Sequence, residues 1–159
     1  MYTIVRHAEQ TNYRLHDPPV KPDTDLSNYH YNFDYIISSP YYRTRQTAEL
    51  LNHDDKPIYI DIQLSEYHGH KKWTKLKLTD ETKEFETEGY PIPDHSETWE
   101  EFAQRAREFY DWLLEQDDSI LIVTHGVVVN YLHQLATGET LTERARDVPY
   151  AKGFILVVR

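Results

Sequence analysis

The sequence predicts an α/β domain, a mainly parallel open sheet with helices on both faces. Two observations carry this. Short apolar runs alternate with helical patterns over the whole length, the signature of strands connected through crossover helices. One of these runs, residues 120–123, is apolar at every position, as a strand buried on both faces should be.

The 159 residues fit one domain, 1–159, large enough to bury a core unaided by disulfide or metal. Cysteine is absent, which excludes a disulfide framework and thiol chemistry and fits a reducing compartment. No apolar run approaches the roughly 18 residues of a membrane span, and the amino terminus lacks a signal-peptide pattern. A soluble, cytoplasmic protein is therefore expected. A formal net charge of −10 repels polyanions, so neither nucleic acid nor an acidic membrane is the expected partner. Local arginines can still attract a small anion. Aromatic residues make up 13 % of the chain and the apolar runs are clean, which favours a folded domain over a disordered one.

The first strand is the run Thr3, Ile4, Val5, and it ends in Arg6 and His7. Residues 12–32 carry Pro18, Pro19 and Pro22 without helical period, so they read as a long loop. A second strand spans residues 33–37. Ser39 as N-cap and Pro40 at the first helical position then open a helix over residues 40–52, with Arg43 in its first turn and Thr47, Ala48 and Leu51 facing inward. Ile58, Tyr59, Ile60 and Ile62 form a third strand, followed by Leu64 and Glu66. Between residues 67 and 95 a basic group (Lys71, Lys72, Lys75, Lys77) and an acidic one (Asp80, Glu81, Glu84, Glu86, Glu88) read as solvated faces.

Thr98 and Glu101 have capping-box spacing. They open a helix whose inward stripe is Trp99, Phe102, Ala103, Ala106, Phe109, Tyr110, Leu113 and Leu114. The fourth strand ends in Thr124, His125 and Gly126. A mostly apolar helix over residues 127–136 closes at Gly138, and residues 154–158 supply a last strand.

His7, Arg43, Glu66 and His125 thus occupy equivalent places after four successive strands, and in a parallel sheet all four open on one side. Arg6 and Arg43 offer forked donors to phosphate oxygens, and the amino end of the helix near Pro40 adds backbone donors. Phosphoryl transfer needs an in-line nucleophile and positive charge around the equatorial oxygens, which two arginines and a second histidine supply without metal. The carboxyl of Glu66 is placed to protonate a departing alkoxide.

The Arg6, His7 pair, the turn Ser38, Ser39, Pro40 with Arg43, Gln46, Thr47 and Ala48, the helix start from Glu97 and Thr98 to Phe102, and Val123, Thr124, His125, Gly126 come in this order. Together they resemble the histidine phosphatase superfamily, and more narrowly its phosphoglycerate mutase-like branch. The resemblance implies a phosphohistidine mechanism with His7 as nucleophile. Arg6, Arg43, His125 and Gly126 would surround the phosphoryl group, Asn12 would contact it, and Glu66 would be the proton donor, with Glu9 and Glu97 as the other candidate acids.

Two departures stand out. Ala8 replaces the glycine usual after the nucleophile, and the family's first helix is missing or shortened, because Leu26 and Ser27 run almost at once into Phe33. The sheet face so bared predicts a homodimer, or cover by Tyr29, Tyr31 and Phe33.

The expected activity is hydrolysis of small phosphomonoesters without cofactor. The alternatives are a phosphoglycerate mutase-type transferase, whose relatives generally carry a longer insert and tail, and an inactive phospholigand-binding module. No metal is expected: His68 and His70 after Glu66 lack an established ligand spacing and read as surface or pocket-rim residues, while His16, His30, His53, His95 and His133 read as structural or exposed. Selectivity is expected from residues 12–32 and 67–95, where Lys71 and Lys72 would favour added negative charge and Tyr67, Trp73 and Tyr90 a ring.

Overall fold

The computed structural model describes residues 1–11, 18–69, 97–152 and 154–156. Five strands form one sheet: β1 Tyr2–Arg6, β2 Tyr35–Ser38, β3 Ile58–Ile60, β4 Ile120–Thr124 and β5 Phe154–Leu156. Their spatial order is β3-β2-β4-β1-β5. The first four run parallel, and β5 pairs with β1 antiparallel, closing the far edge.

Strand alternation splits the core in two. Tyr2, Ile4, Ile37, Ile120 and Ile122 face one side, where they meet α2 (Trp99–Leu114) and α3 (Gly126–Thr137). Val5, Ile36, Leu121 and Val123 face the other, where they meet Ala48 and Leu51 of α1 (Tyr42–Leu51). Both helix layers of the sequence reading are present. Among the described residues no helix lies between β1 and β2. Val20, Leu26 and Phe33 plug the second face there, and the Tyr31 hydroxyl donates to the carbonyl of Ala151 at 3.1 Å. Tyr29, also expected as cover, is exposed instead.

Capping explains the clearest helix. The Thr98 hydroxyl accepts from the Glu101 amide at 3.2 Å, and Glu100 and Glu101 place negative charge at the positive end of α2. Its buried residues are Phe102, Ala106, Phe109 and Leu113. Trp99 and Leu114, predicted in the inward stripe, are each 45 % exposed. At the end of α3, Gly138 adopts φ +86°, the left-handed turn that glycine takes without steric cost.

Three boundaries differ from the sequence reading. β2 starts at Tyr35 rather than Phe33, and Ile62 opens a short 3-10 turn, Ile62–Leu64, where a strand was expected to continue. The helix after β2 begins at Tyr42 with Tyr41 as its N-cap, so neither Ser39 nor Pro40 has the role expected. The Ser39 hydroxyl is committed elsewhere, as shown below.

The register places the site. Arg6 of β1 pairs with Thr124 of β4, and Ser38 of β2 pairs with Val123. His7 and His125 therefore leave adjacent strands at the same level, where strands lie about 4.8 Å apart, and Ser39 leaves the next strand beside them.

The two leucines that end α2 provide a test of which face is core. Leu113→Ala should cost roughly 2–5 kcal/mol in urea unfolding, and Leu114→Ala about 0.5 kcal/mol. Equal losses would contradict the packing described.

Candidate active site

The backbone fixes His7 before any side chain does. The His7 amide donates to the Thr124 carbonyl at 2.9 Å, continuing the β1–β4 ladder by one residue, and the Ala8 amide donates to the Thr47 hydroxyl at 2.9 Å. Thr47 in turn donates to the Arg43 carbonyl at 2.7 Å, so α1 holds the turn after β1. Gln46, one residue earlier, accepts the Val20 amide at 2.8 Å and ties the long loop to the same helix. This is what Arg43, Gln46, Thr47 and Ala48 do as a group: one side chain reaches the site, two fasten its frame, and Ala48 packs beneath.

The ring of His7 has a defined tautomer. Its Nδ1 lies 2.7 Å from the Ala8 carbonyl oxygen, which can only accept, so Nδ1 carries the proton. Nε2 is left with a lone pair, and the Nε–H of Arg43 donates to it at 3.3 Å. The ring of His125 stands 5.4 Å from that of His7 between centroids, at 61°. Its Nε2 lies 2.8 Å from the Ser39 hydroxyl, which explains why Ser39 does not cap α1. The same hydroxyl also accepts weakly from the Tyr41 amide at 3.4 Å. Nδ1 of His125 lies on the other side of the ring, 3.7 Å from a carboxylate oxygen of Glu66.

Arg43 and Glu66 form a direct ion pair beneath the crevice. The four predicted groups therefore converge: Arg43 meets both His7 and Glu66, and Glu66 approaches His125. Arg6 is also present but is not the free fork expected. Its Nη1 donates to the carbonyls of Arg146 and Val148 at 2.9 and 2.7 Å, and its guanidinium stacks 4.0 Å above the Tyr150 ring. Arg6 Nε is buried without a hydrogen-bond partner. Gly126 has a steric reason: a Cβ there would sit 2.4 Å from the Ala145 carbonyl oxygen, in the segment that grips Arg6. Asn12 lies outside the described residues, as do His16, His70, Lys71, Lys72, Trp73, Tyr90 and His95.

Electrostatics keep both imidazoles neutral. Burial, then the Arg43 guanidinium, and more weakly Arg6, push His7 well below the ordinary imidazole value, outweighing the bond to Ala8. Burial and Arg43 do the same to His125, with His7, Arg105 and Arg6 adding to it. His125 also caps the positive end of α3, which repels a proton on the ring and favours an anion beside it.

Sequence reasoning missed several residues. Ser39 was assigned to a cap. Tyr41 packs its ring 4.7 Å from His125 and under Arg43, and Tyr150 stands 5.8 Å from His7; aromatic residues near a strand end carry no signal of their own. His68, expected at a surface or pocket rim, is 3 % exposed and lies 3.2 Å from Glu97. Tyr67 packs edge-on against Trp99 and Phe102. Of the other acids, Glu9 pairs with Lys21 in solvent, and Glu97 is gripped by Arg105.

Fold and crevice together define an α/β protein that gathers two neutral imidazoles and two guanidiniums at the carboxyl edge of a parallel sheet. The family model for the histidine phosphatase superfamily (branch 1) matches residues 3–156, and the chain belongs to that superfamily. Its fold is like that of the alpha-ribazole phosphatase from Shigella flexneri, at TM-score 0.63 and 22 % identity over 92 % of this chain and 82 % of that one. It is also like a phosphoserine phosphatase from Entamoeba histolytica, solved with 3-phosphoglyceric acid, at TM-score 0.58 and 17 % identity over 87 % and 80 % of the two chains. A phosphoglycerate mutase from Bacillus anthracis gives TM-score 0.58 and 16 % identity over 86 % of this chain and 79 % of that one. At such identities the likeness is one of fold. No curated protein matches the chain.

The two depressed histidines predict an acid-side loss of stability. Unfolded imidazoles take up protons near pH 6.5 while the folded ones do not, so the unfolded state binds more protons and stability falls as pH drops below that value. In phosphate-free buffer the melting temperature should decline from pH 7 to 5. The decline should be shallower in His7→Asn/His125→Asn, and an unchanged slope would contradict burial of neutral rings.

Proposed function

We propose that this protein hydrolyses small phosphomonoesters through a phosphohistidine on His7. The observation that carries the reading is the His7 tautomer: a proton fixed on Nδ1 by a backbone carbonyl leaves the Nε2 lone pair directed at the crevice, beside two guanidiniums. A neutral, oriented imidazole is the form that attacks phosphorus.

In the first step the phosphoryl oxygens take over Arg43, with Arg6 and His125 beside them. The Nε2 lone pair forms the N–P bond, the ester P–O bond breaks, and its electron pair leaves with the alcohol oxygen. Glu66 gives that oxygen a proton. In the second step water attacks phosphorus, Glu66 receives the water proton, and the N–P electron pair returns to Nε2 as orthophosphate forms. Positive charge already in place around the equatorial oxygens supplies the main stabilisation, with no reorganisation at the moment of transfer. These residues read only the phosphoryl end of a substrate, so a panel of phosphorylated sugars, nucleotides, amino acids and peptides is the route to its identity.

Incubation with p-nitrophenyl phosphate and acid-free quenching should trap an acid-labile phosphoenzyme, and EDTA should leave turnover intact. His7→Ala should lose the phosphoenzyme and at least ~10³-fold in kcat. A phosphoenzyme that persists in His7→Ala would overturn the reading. Transfer to a second hydroxyl without phosphate release would identify a mutase, and tight phosphate binding without turnover a binding module.

A further inference from the structure

Glu66 stands on weak ground. It follows a three-residue edge strand and a 3-10 turn, so neither a helix nor a ladder holds it, and such connections are ordinarily the more mobile part of a domain. Yet its backbone is pinned by side chains on both sides. Arg105 donates from Nη1 to the Gln63 carbonyl at 2.7 Å and from Nη2 to the Glu66 carbonyl at 3.0 Å. Between them the Leu64 carbonyl accepts the Thr124 hydroxyl at 2.7 Å. Beyond Glu66, the His68 amide donates to the Glu97 carboxylate at 3.2 Å, and the Glu97 amide to the His68 carbonyl at 3.3 Å.

The guanidinium is itself held. Its Nε and Nη2 meet the two oxygens of Glu97 at 3.0 and 2.6 Å, a forked pair whose carboxylate is 6 % exposed. That geometry leaves the outward N–H groups aimed at the two carbonyls, which a lysine ammonium cannot reproduce at once. Glu97, whose oxygens are so engaged, is thereby removed as a candidate acid. None of the three groups Arg105, Glu97 and His68 appears in the chemistry above.

We propose that Arg105, gripped by Glu97, is a positioning residue for Glu66: it fixes the backbone from which that carboxyl reaches the leaving oxygen, without touching substrate. The inference rests on Glu66 being the proton donor. Misplacement of a reacting group by about 1 Å can cost about 10²-fold in rate, so a clamp on the carrier of the acid should be felt in proton transfer.

The readout is kcat/KM, which ends at the first phosphoryl transfer, for p-nitrophenyl phosphate, whose leaving group needs no proton, against glycerol 2-phosphate, whose leaving group does. Glu66→Gln and Arg105→Met should each lower the glycerol 2-phosphate value by roughly 10²-fold and the p-nitrophenyl phosphate value by less than about 5-fold. In the Glu66→Gln background, Arg105→Met should cost less than about 3-fold more, since the acid it positions is gone. Arg105→Lys and Glu97→Gln should shift the ratio of the two substrates in the same direction by about 10-fold, and they read the clamp should Arg105→Met fail to fold. Equal losses on both substrates in the Arg105 and Glu97 variants, or a full additive loss in the double variant, would make the pair structural only and overturn the inference. If Glu66→Gln itself fails to separate the substrates, the acid assignment falls, and the positioning role falls with it.

Discussion

Arg43 is the group on which the rest of the crevice depends. A guanidinium only 3 % exposed is tolerable when its donors are satisfied, and Arg43 meets that demand with Glu66 on one side and the His7 lone pair on the other. Burial first, and this charge after it, keep protons off both histidines. Its position follows from the fold: α1 starts four residues after β2 ends, β2 lies next to β4, and β4 lies next to β1. One cation therefore reaches residues that follow three different strands. Removing it would leave a half-buried carboxylate without its partner and the His7 lone pair without its donor.

Much of the frame around Arg43 consists of polar side chains bonded to backbone. Thr47 serves the turn after β1, Thr124 and Arg105 serve the turn after β3, and the carbonyls of Arg146 and Val148 hold Arg6. Each bond satisfies a buried group that would otherwise cost free energy, and each also restricts where a reacting atom sits. Stability and geometry are thus supplied by the same contacts. The Arg105–Glu97 pair adds an acid-side sensitivity of its own: burial raises the Glu97 carboxyl, but Arg105 and His68 outweigh it and hold it below the ordinary value. Its contribution is present above about pH 4.5 and is lost as pH falls further.

Much of this was legible in the sequence because periodicity reports burial. The alternating runs located β1, β2, β3 and β4, the capping box located the start of α2, and the recurrence of His7, Arg43, Glu66 and His125 after successive strands located the crevice. What escaped was contact at long sequence separation. Ser39 has the local pattern of an N-cap, but His125, 86 residues away, competes for its hydroxyl and wins. Arg105 has no sequence signal of its own, and only the folded chain brings it to Glu66, 39 residues earlier. The stripe on α2 was drawn too wide because Trp99 and Leu114 are apolar, and hydrophobicity alone does not say which of two neighbouring leucines turns inward. Among described residues the gap between β1 and β2 is filled without a helix, since Val20, Leu26 and Phe33 need only be apolar and suitably spaced to cover the sheet.

The central claim is that His7 is a neutral imidazole protonated at Nδ1, with its Nε2 lone pair held by Arg43. Ring nitrogen NMR of 15N-histidine-labelled protein, assigned through His7→Asn, reads this state directly across pH 5 to 8. The expected spectrum shows His7 as the neutral Nδ1–H tautomer through pH 6.5, with Nε2 moving when orthovanadate is added. An Nε2–H tautomer, or a titration centred near pH 6.5, would contradict it.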